Sequence, residues 1–356
     1  MHILLLDLGN EMRGGQWQVY YLARALARSA EFTVTLAAPA HAPLYSYAAE
    51  LEGVTLLPLS STRDWDARNI YKVRRAVTKH GAQVIHTNCA KSASLGGIVK
   101  KMCKDAVRLV HSRRVSYPLK KGWSGKKYLI ADALVGVSQE ISNTMLSSAP
   151  ELDSAKVFTI HSGIDATRYQ SKKVRDDDRI IIGMIGALTE QKGHVVLIRA
   201  LAQLLGFTEL PTWEARLIGD GPLFDEIKDL AEELGVSSHL AMLGRQDARE
   251  QLPFFDLLVV PSVNGEGSSG VIKEGWVGQL PVITSDLESN LELVEPDVSG
   301  LVFPNHDHGA LARDLYSLMT DEALRNRLVA GGTARVQQFT DMKMATAYMQ
   351  LYKDIW

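Results

Sequence analysis

Short apolar segments alternate with amphipathic segments along this chain, and the alternation begins twice. HILLLDL (2–8) is a continuous apolar run of the kind that is buried in a parallel sheet, and RIIIGMI (179–185) starts the same pattern again after a polar stretch. Segments with apolar residues at helical spacing lie between most of the predicted strands. Strands that alternate with helices favour parallel sheets covered by helices. The sequence therefore predicts the α/β fold class, with two doubly wound, Rossmann-like domains in series.

The domain limits follow from the same pattern and from the length. A chain of 356 residues is too long for one ordinary core and favours two domains of roughly 150–200 residues. We expect a first domain over residues 1–168, a polar linker over 169–178 and a second domain over 179–340. The final segment, 341–356, has apolar residues at helical spacing and is expected to pack back on the first domain.

The stretch VVPSVNGEGSSGVIKEGWVGQLP (259–281) predicts a strand, a small-residue loop and a helix that begins near Ser268 and ends before Gly278. The first N–H groups of a helix have no intrahelical partner, and together with the helix dipole they favour an anion. Glu266 precedes these donors and Glu274 follows them by one to two turns. A phosphate flanked by two hydroxyl-binding carboxylates suits a nucleotide sugar. An ordinary helix start with a solvated glutamate would show the same pattern, and this alternative stays open.

Composition places the chain among ordinary globular proteins, with 46% hydrophobic and 22% charged residues. Cys89 and Cys103 offer neither metal-ligand spacing nor a disulfide framework, which favours a reducing compartment. The first strand begins at His2 without room for a signal peptide, and no stretch reaches the roughly 20 apolar residues of a membrane-spanning helix. These features predict a cytoplasmic protein.

Positive charge is concentrated between residues 91 and 127, although the net charge of the whole chain is only −2. Such a block suits an anionic membrane surface, a phosphorylated acceptor or a nucleic acid, and a solvated face is the plain alternative. The segment contains one acid, Asp105, and eleven basic residues: Lys91, Lys100, Lys101, Lys104, Arg108, Arg113, Arg114, Lys120, Lys121, Lys126 and Lys127.

Glu266 and Glu274, with seven residues between them in a Gly-Ser loop that opens a helix, resemble the retaining glycosyltransferases of glycosyltransferase family 4 (glycosyl transferases group 1). The resemblance covers nearly the whole chain. It implies the GT-B fold, in which a deep cleft separates an acceptor-side N-terminal domain from a donor-binding C-terminal domain. It also implies that Glu266 lies by the hydroxyls of the donor sugar and that Glu274 holds the ribose.

Further landmarks of that family fall on glycine loops. The loop GALTEQKG (186–193) resembles the family's diphosphate clamp, in which Lys192 matches but Ala187 stands where an Arg is usual. The resemblance assigns catalytic roles to Glu266, His111 and Lys192. The donor-binding residues that it implies are Gly15, Gly186, Lys192, Gly219, Arg245, Glu266, Gly267, Ser268, Ser269, Gly270 and Glu274. The acceptor-binding residues that it implies are Arg13, Gly14, Arg113 and Arg114.

The implied reaction transfers a hexose from a nucleoside diphosphate sugar, with UDP favoured, to a hydroxyl of a cell-envelope glycan or lipid-linked acceptor. The anomeric configuration is retained, and neither a metal nor a cofactor is expected. The basic block would suit an anionic acceptor and peripheral binding at the inner face of the plasma membrane. No nucleic-acid motif accompanies the block, so a nucleic-acid partner is not expected. Two alternatives share the donor: an enzyme like the nucleotide-sugar 2-epimerases, and a non-catalytic nucleotide-sugar binder, which Ala187 favours.

Overall fold

The computed structural model describes residues 1–120, 122–170, 173 and 177–356. The chain forms two compact units: unit 1 comprises Met1–Gly163 and Thr340–Trp356, and unit 2 comprises Ile164–Phe339. Each contains one parallel sheet flanked by helices, so the predicted α/β class with two doubly wound domains is confirmed. Unit 1 ends slightly before the predicted limit at 168. Of the predicted linker, residues 171, 172 and 174–176 lie outside the described residues.

Unit 1 has a seven-stranded sheet in the order β3-β2-β1-β4-β5-β6-β7. Consecutive strands in the sequence are connected through helices, as parallel pairing requires. The elements are β1 (His2–Leu6), α1 (Gly14–Arg28), β2 (Thr33–Pro39), α2 (Pro43–Ala48), β3 (Val54–Leu59), α3 (Ala67–His80), β4 (Val84–Thr87), α4 (Ala90–Cys103), β5 (Arg108–Arg113), α5 (Trp123–Leu129), β6 (Ala133–Gly136), α6 (Gln139–Ser148) and β7 (Val157–Thr159).

The interior strand β1 shows why this sequence forms a sheet that is buried on both faces. Side chains alternate between the two faces of a strand. Ile3 and Leu5 belong to one apolar cluster, and Leu4 and Leu6 belong to a second one. All four are fully buried. The strand was predicted to run to residue 8 but ends at Leu6.

Unit 2 has a six-stranded parallel sheet in the order β10-β9-β8-β11-β12-β13. Its elements are β8 (Ile180–Ile185), α7 (His194–Leu204), β9 (Trp213–Ile218), α8 (Phe224–Glu233), β10 (Leu240–Met242), α9 (Ala248–Gln251), β11 (Leu257–Val260), α10 (Gly270–Val277), β12 (Val282–Ser285), α11 (Glu288–Leu291), β13 (Leu301–Phe303), α12 (His308–Thr320) and α13 (Glu322–Val336). Apolar clusters again cover both sheet faces.

The last helix, α14 (Asp341–Ile355), belongs to unit 1 and packs along α1. A chain of buried hydrogen bonds ties it to the sheet. The hydroxyl of Tyr352 lies 2.6 Å from Nδ1 of His86, Nε2 of His86 lies 2.7 Å from Oγ of Ser112, and that oxygen lies 2.6 Å from the hydroxyl of Tyr348. Since α14 supplies both tyrosines, a distant segment completes the polar interior of unit 1.

Over the residues that the structure describes, none of the helices combines the length and the apolar character that crossing a bilayer requires.

Candidate functional site

The loops that follow β8, β9 and β11 converge at the carboxyl end of the unit 2 sheet, where β8 and β11 form the topological switch point. Two glycines permit the close approach. A Cβ on Gly193 (φ 72°) would lie 1.9 Å from the carbonyl oxygen of Pro261, and a Cβ on Gly219 (φ 146°) would lie 1.8 Å from that of Gly186. Both conformations favour glycine. Ligands of doubly wound sheets bind at such switch points.

Glu266 and Lys192, predicted as catalytic residues, are in direct contact. Nζ of Lys192 donates to Oε1 of Glu266 at 2.6 Å, and Oγ of Ser262 donates to the same oxygen at 2.5 Å. Glu266 is buried, whereas a quarter of the Lys192 side chain is exposed. An ammonium group has three donors, so the pairing leaves Lys192 with capacity for further acceptors. The loops after β8 and β11 therefore place a charged pair at the switch point.

The predicted helix start after Gly267 is present, because α10 begins at Gly270 with Ser269 as its N-cap. The side chain of Ser269 makes no cap hydrogen bond. Ser268 also does not serve as the cap, since its Oγ accepts from Nζ of Lys273 at 2.7 Å. No side chain at the cap satisfies the first backbone donors of α10, and these donors are the groups that suit an anion.

Glu274 lies on α10 and accepts a hydrogen bond at Oε1 from the hydroxyl of Tyr169, at 3.1 Å. Burial raises the pKa of Glu274, and the hydrogen bond from Tyr169 opposes that increase. A carboxylate that is held in place and partly buried is suited to bind hydroxyl groups. Glu266 and Glu274 thus flank the start of α10 within one unit.

The remaining donor-side predictions have different surroundings. Ala187, which stands where the family usually has an Arg, is exposed. Gly186 lies against the side chain of Lys192, where an added Cβ would lie 3.3 Å from Cγ of that lysine. Arg245 follows Gly244 and is exposed. Gly219 donates its N–H to the carbonyl of Gly244 at 2.9 Å, which connects the loops after β9 and β10.

In unit 1, the predicted glycine loop opens α1 at Gly14, with Gly15 next. Gly15 lies beside Arg114, because a Cβ there would lie 3.3 Å from Cδ of that arginine. Nη1 of Arg114 donates to Oγ of Ser162 at 3.3 Å. Arg13 is mostly exposed and pairs with Glu11 at 2.8 Å. The predicted acceptor residues Gly14 and Arg114 therefore lie together at the carboxyl end of the sheet, beside Gly15, which was predicted on the donor side.

His111 lies on β5 and is buried, and its Nδ1 is 2.7 Å from Oγ1 of Thr87. Burial lowers its pKa to about 3, with further lowering by the charge of Lys127 and the neighbouring arginines. His111 is therefore neutral near pH 7 and is suited to hydrogen bonding rather than to charge stabilisation. Arg113, predicted at the acceptor, is buried: its Nη2 donates to the carbonyl of Tyr117 and its guanidinium lies over the ring of Tyr128.

In the folded structure, an acidic residue from outside the basic block offsets part of its positive charge. Nζ of Lys100 lies 2.9 Å from Oδ2 of Asp132, and Nη1 of Arg108 lies 3.5 Å from Oδ1. Asp132 lies outside the counted segment, so the sequence count missed it. Lys127 donates to the carbonyl of Ala90 at 2.7 Å. Lys121 lies outside the described residues. Part of the block is structural, and the rest is considered below.

Sequence reasoning missed several polar residues of these regions. Ser262 and Tyr169 orient the two glutamates through the hydrogen bonds given above. Asp7 and Asn88 are buried at the ends of β1 and β4. A polar residue directly after an apolar strand was a usable signal for the last two. No signal in the sequence pointed to Tyr169, because it lies about a hundred residues before the carboxylate that it contacts.

Two family patterns match the chain. "Glycosyltransferase Family 4" matches residues 12–168, and "Glycosyl transferases group 1" matches residues 165–335. The chain is 29% identical over 242 residues to the lipopolysaccharide core biosynthesis glycosyltransferase LpsE of Rhizobium meliloti (strain 1021), covering 67% of this chain and 68% of LpsE.

A second relative and a solved structure extend the likeness over more of the chain. The UDP-Gal:alpha-D-GlcNAc-diphosphoundecaprenol alpha-1,3-galactosyltransferase of Escherichia coli is 23% identical, covering 82% of this chain and 80% of that enzyme. The crystal structure of Anabaena Alr3699/HepE in complex with UDP and glucose superposes with a TM-score of 0.82 at 19% identity, covering 99% of this chain and 100% of HepE. The last comparison shows the fold.

The two family patterns meet near the boundary between the units, and the charged pair and the helix start lie within the second of them. The chain belongs to the GT-B glycosyltransferases of glycosyltransferase family 4, the glycosyl transferases group 1.

Proposed function

We propose that this glycosyltransferase moves a hexose from a UDP-sugar to a hydroxyl of a cell-envelope glycan or lipid-linked acceptor, with retention of the anomeric configuration and without an essential metal. The observation that carries the proposal is the contact between Lys192 and Glu266 beside the start of α10, where uncapped backbone N–H groups suit a diphosphate. Support for the UDP donor comes from the relative and the structure whose names include UDP. LpsE and the galactosyltransferase support the acceptor class.

Each donor-side group has a place in this proposal. The diphosphate lies against the N–H groups of residues 267–270, and the ammonium of Lys192 offsets the charge that develops on it. Glu266 binds hydroxyls of the donor sugar, and Glu274 binds the ribose. The bond from the anomeric carbon to the diphosphate breaks while the acceptor oxygen bonds to the same face of the sugar. The acceptor's proton passes to an oxygen of the departing diphosphate.

The donor is tested first by thermal unfolding with UDP-glucose, UDP-galactose, UDP-N-acetylglucosamine, GDP-mannose and ADP-glucose. A donor at about 100 times its Kd adds roughly 2.7 kcal/mol of stability. We expect stabilisation by a UDP-sugar, and we expect Glu274→Ala to reduce it while Glu250→Ala, at an exposed position outside the proposed site, leaves it unchanged. Equal stabilisation of both variants would remove Glu274 from the donor site.

Turnover separates the proposal from its alternatives. An extracted lipid-linked glycan and the stabilising donor should give a product whose anomeric configuration, read by NMR, matches the donor. Isomerised nucleotide sugar without any acceptor would indicate the epimerase-like enzyme. Donor binding with neither product would indicate the non-catalytic binder. Activity that survives exhaustive chelation supports metal independence, and activity that is lost and then restored by a divalent cation contradicts it.

A groove of about 450 Å³ in unit 1 supports the lipid-linked acceptor and peripheral binding at an anionic membrane. Its apolar lining includes Trp65, with 58% of its surface exposed, and Met102, with 48% exposed. Lys101 and Lys126 also line the groove and are exposed. Exposed large apolar side chains beside lysines match a lipid, whose chain is apolar and whose phosphate is anionic.

Vesicle binding tests the groove. We expect flotation with phosphatidylglycerol-rich vesicles at low salt, weaker flotation with neutral phosphatidylcholine vesicles, and loss of flotation in the double variant Lys101→Glu/Lys126→Glu. The matched control, Lys228→Glu/Arg327→Glu, reverses two exposed charges in unit 2. If the wild type binds both kinds of vesicle equally, the membrane part of the proposal is wrong.

A further inference from the structure

Two buried oxygen atoms in unit 1 have no hydrogen-bond partner in the described part of the chain: Oδ2 of Asp7 and Oδ1 of Asn88. The two residues are 1% and 5% exposed. The other polar atoms of these side chains are satisfied. Oδ1 of Asp7 accepts from the N–H of Gly9 at 2.7 Å and from Nε2 of Gln16 at 3.1 Å. Nδ2 of Asn88 donates to the carbonyl of His86 at 3.2 Å.

The two side chains are neighbours at the carboxyl end of the sheet. Strand β1 pairs with β4 with Leu6 opposite Thr87, so Asp7 and Asn88 each follow a paired strand end. The N–H of Asn88 donates to the carbonyl of Leu6 at 3.1 Å, which extends the pairing to this point. Neighbouring strands lie about 4.8 Å apart, a span that two hydroxyls of one sugar ring can bridge. Strands β1 and β4 also form the switch point of unit 1, where ligands of such sheets bind.

The chemistry of the two atoms limits what can satisfy them. A carboxylate oxygen and an amide oxygen accept hydrogen bonds only. A buried acceptor without a partner is costly, so a ligand with two donors gains by binding there. The negative charge of Asp7 disfavours a phosphate at the same place.

A hydrogen-bond donor also lies near the two acceptor oxygens. Nε of Arg114 is buried and likewise lacks a partner among the described residues. Gly15 lies against the side chain of Arg114, and the adjacent Gln16 donates to Asp7, which places the guanidinium near the carboxylate. Burial lowers the pKa of Arg114. Two acceptors and one donor suit a group that both donates and accepts, as sugar hydroxyls do.

We propose that Asp7 and Asn88 bind two hydroxyl groups of the acceptor, so that the part of the acceptor held in unit 1 is an uncharged sugar ring. This inference rests on the proposed function and specifies the acceptor's chemistry. Asp7 and Asn88 position the acceptor, and Arg114 accompanies them by donating to an oxygen of the same ring. Any phosphate of the acceptor lies away from Asp7.

The test uses Asp7→Asn in the full chain, because this change replaces one acceptor oxygen by a donor and keeps the shape. The probes are methyl α-glucoside, methyl α-galactoside and methyl α-mannoside. Their binding is measured by saturation-transfer NMR with UDP present. We expect at least one glycoside to bind the wild type and to bind Asp7→Asn about tenfold more weakly or worse. Asp105→Asn, an exposed aspartate of the same unit, should bind like the wild type. If Asp7→Asn does not fold, glycoside binding by Asn88→Ala provides the second test.

Each other outcome has a defined meaning. Equal glycoside binding by wild type, Asp7→Asn and Asn88→Ala overturns the inference, as does the failure of every glycoside to bind the wild type. Displacement of the glycoside by millimolar inorganic phosphate in the wild type would indicate an anion site and also overturns it. The donor shift is measured in parallel. Loss of glycoside binding with an intact UDP-sugar shift supports the inference, whereas glycoside binding without any UDP-sugar shift would leave this site standing and refute the proposed function.

Discussion

The two sheets have the same strand topology, but the polar side chains at their carboxyl ends differ in whether they are paired. In unit 2, Glu266 is hydrogen-bonded by Lys192 and Ser262, and Glu274 is hydrogen-bonded by Tyr169. In unit 1, His111 is kept neutral and an oxygen of Asp7 has no partner among the described residues. The unit 2 site has paired its own charges, whereas the unit 1 site retains polar groups that a ligand can satisfy.

Both sites are assembled from the ends of separate strands, but their polar groups are paired differently. In unit 2, the short loops after β8 and β11 bring Lys192 and Glu266 into direct contact, although these residues are 74 positions apart in the chain. The polar groups of unit 1 come from the ends of β1, β4 and β5, which are far apart along the chain. In unit 1, tyrosines of the last helix complete part of the pairing, and Asp7 and Asn88 keep oxygens without a partner among the described residues.

Neutralising Glu266 should have the largest effect, because it removes the charge pairing that distinguishes the unit 2 site from the unit 1 site. Glu266→Gln keeps the shape but removes the charge that pairs with Lys192, so the ammonium is no longer held by a carboxylate. We expect the transfer rate to fall roughly 100- to 1000-fold, the range for losing one preorganised electrostatic contact in an active site. The measurement is product formation under saturating donor. Glu233→Gln, at an exposed helix position, is the control, and a near-normal rate for Glu266→Gln would show that the pair is structural.

The neutral state of His111 predicts a pH dependence of stability. Its pKa is lowered from 6.5 to about 3, so the unfolded chain binds a proton more readily than the folded one between these values. Stability from this group is complete above pH 6.5 and is lost as the pH falls toward 3. The stability of the wild type relative to His111→Gln should therefore decrease by about 2 kcal/mol between pH 7 and pH 5. Urea unfolding measures it, with exposed His80→Gln as control. A constant difference would show that His111 titrates normally.

The polar link between α14 and the sheet is a test of how unit 1 is completed. Tyr352→Phe keeps the ring but leaves Nδ1 of His86 without its partner in the interior. We expect a loss of about 1–2 kcal/mol in the free energy of unfolding, since a buried polar atom left unpaired is costly. Tyr71→Phe, at a residue 61% exposed, should change little. Wild-type stability for Tyr352→Phe would mean that α14 is held by apolar contact alone.

Adding a cation at residue 187 should have the smallest effect, and it tests whether the unit 2 site lacks a charge for the diphosphate. Ala187 is exposed, so Ala187→Arg fits without displacing packed atoms. An exposed cation near a diphosphate should tighten UDP-sugar binding by at most about 1 kcal/mol, roughly fivefold. Ala187→Gln has a similar reach without the charge and should not tighten it. No difference between the two variants in donor titrations would indicate that another group already supplies the charge.

Much of the fold and part of the site could be predicted from the sequence. The apolar strand pattern, which begins at residue 2 and again at residue 179, predicted two sheets. The loop from Pro261 to α10 predicted a helix start that lies within two residues of the observed one. The contact between Lys192 and Glu266 was not predictable in the same way, because it depends on the approach of Gly193 to Pro261. Asp132, which pairs with two cations of the basic block, was missed because pairing in space ignores distance along the chain.

The sequence by itself determined the strand and helix periodicity, the α/β class and the glycine loops, because each of these depends on residues that are close along the chain. Only the tertiary structure decided which polar groups are paired. It brought Lys192 into contact with Glu266 and buried Asp7 and Asn88 on neighbouring strand ends. It also formed the hydrogen-bonded series that runs from Tyr352 through His86 and Ser112 to Tyr348. Hydrogen bonds and desolvation act over a few ångströms between residues that can be hundreds apart in sequence, so the state of these groups is a property of the packed molecule.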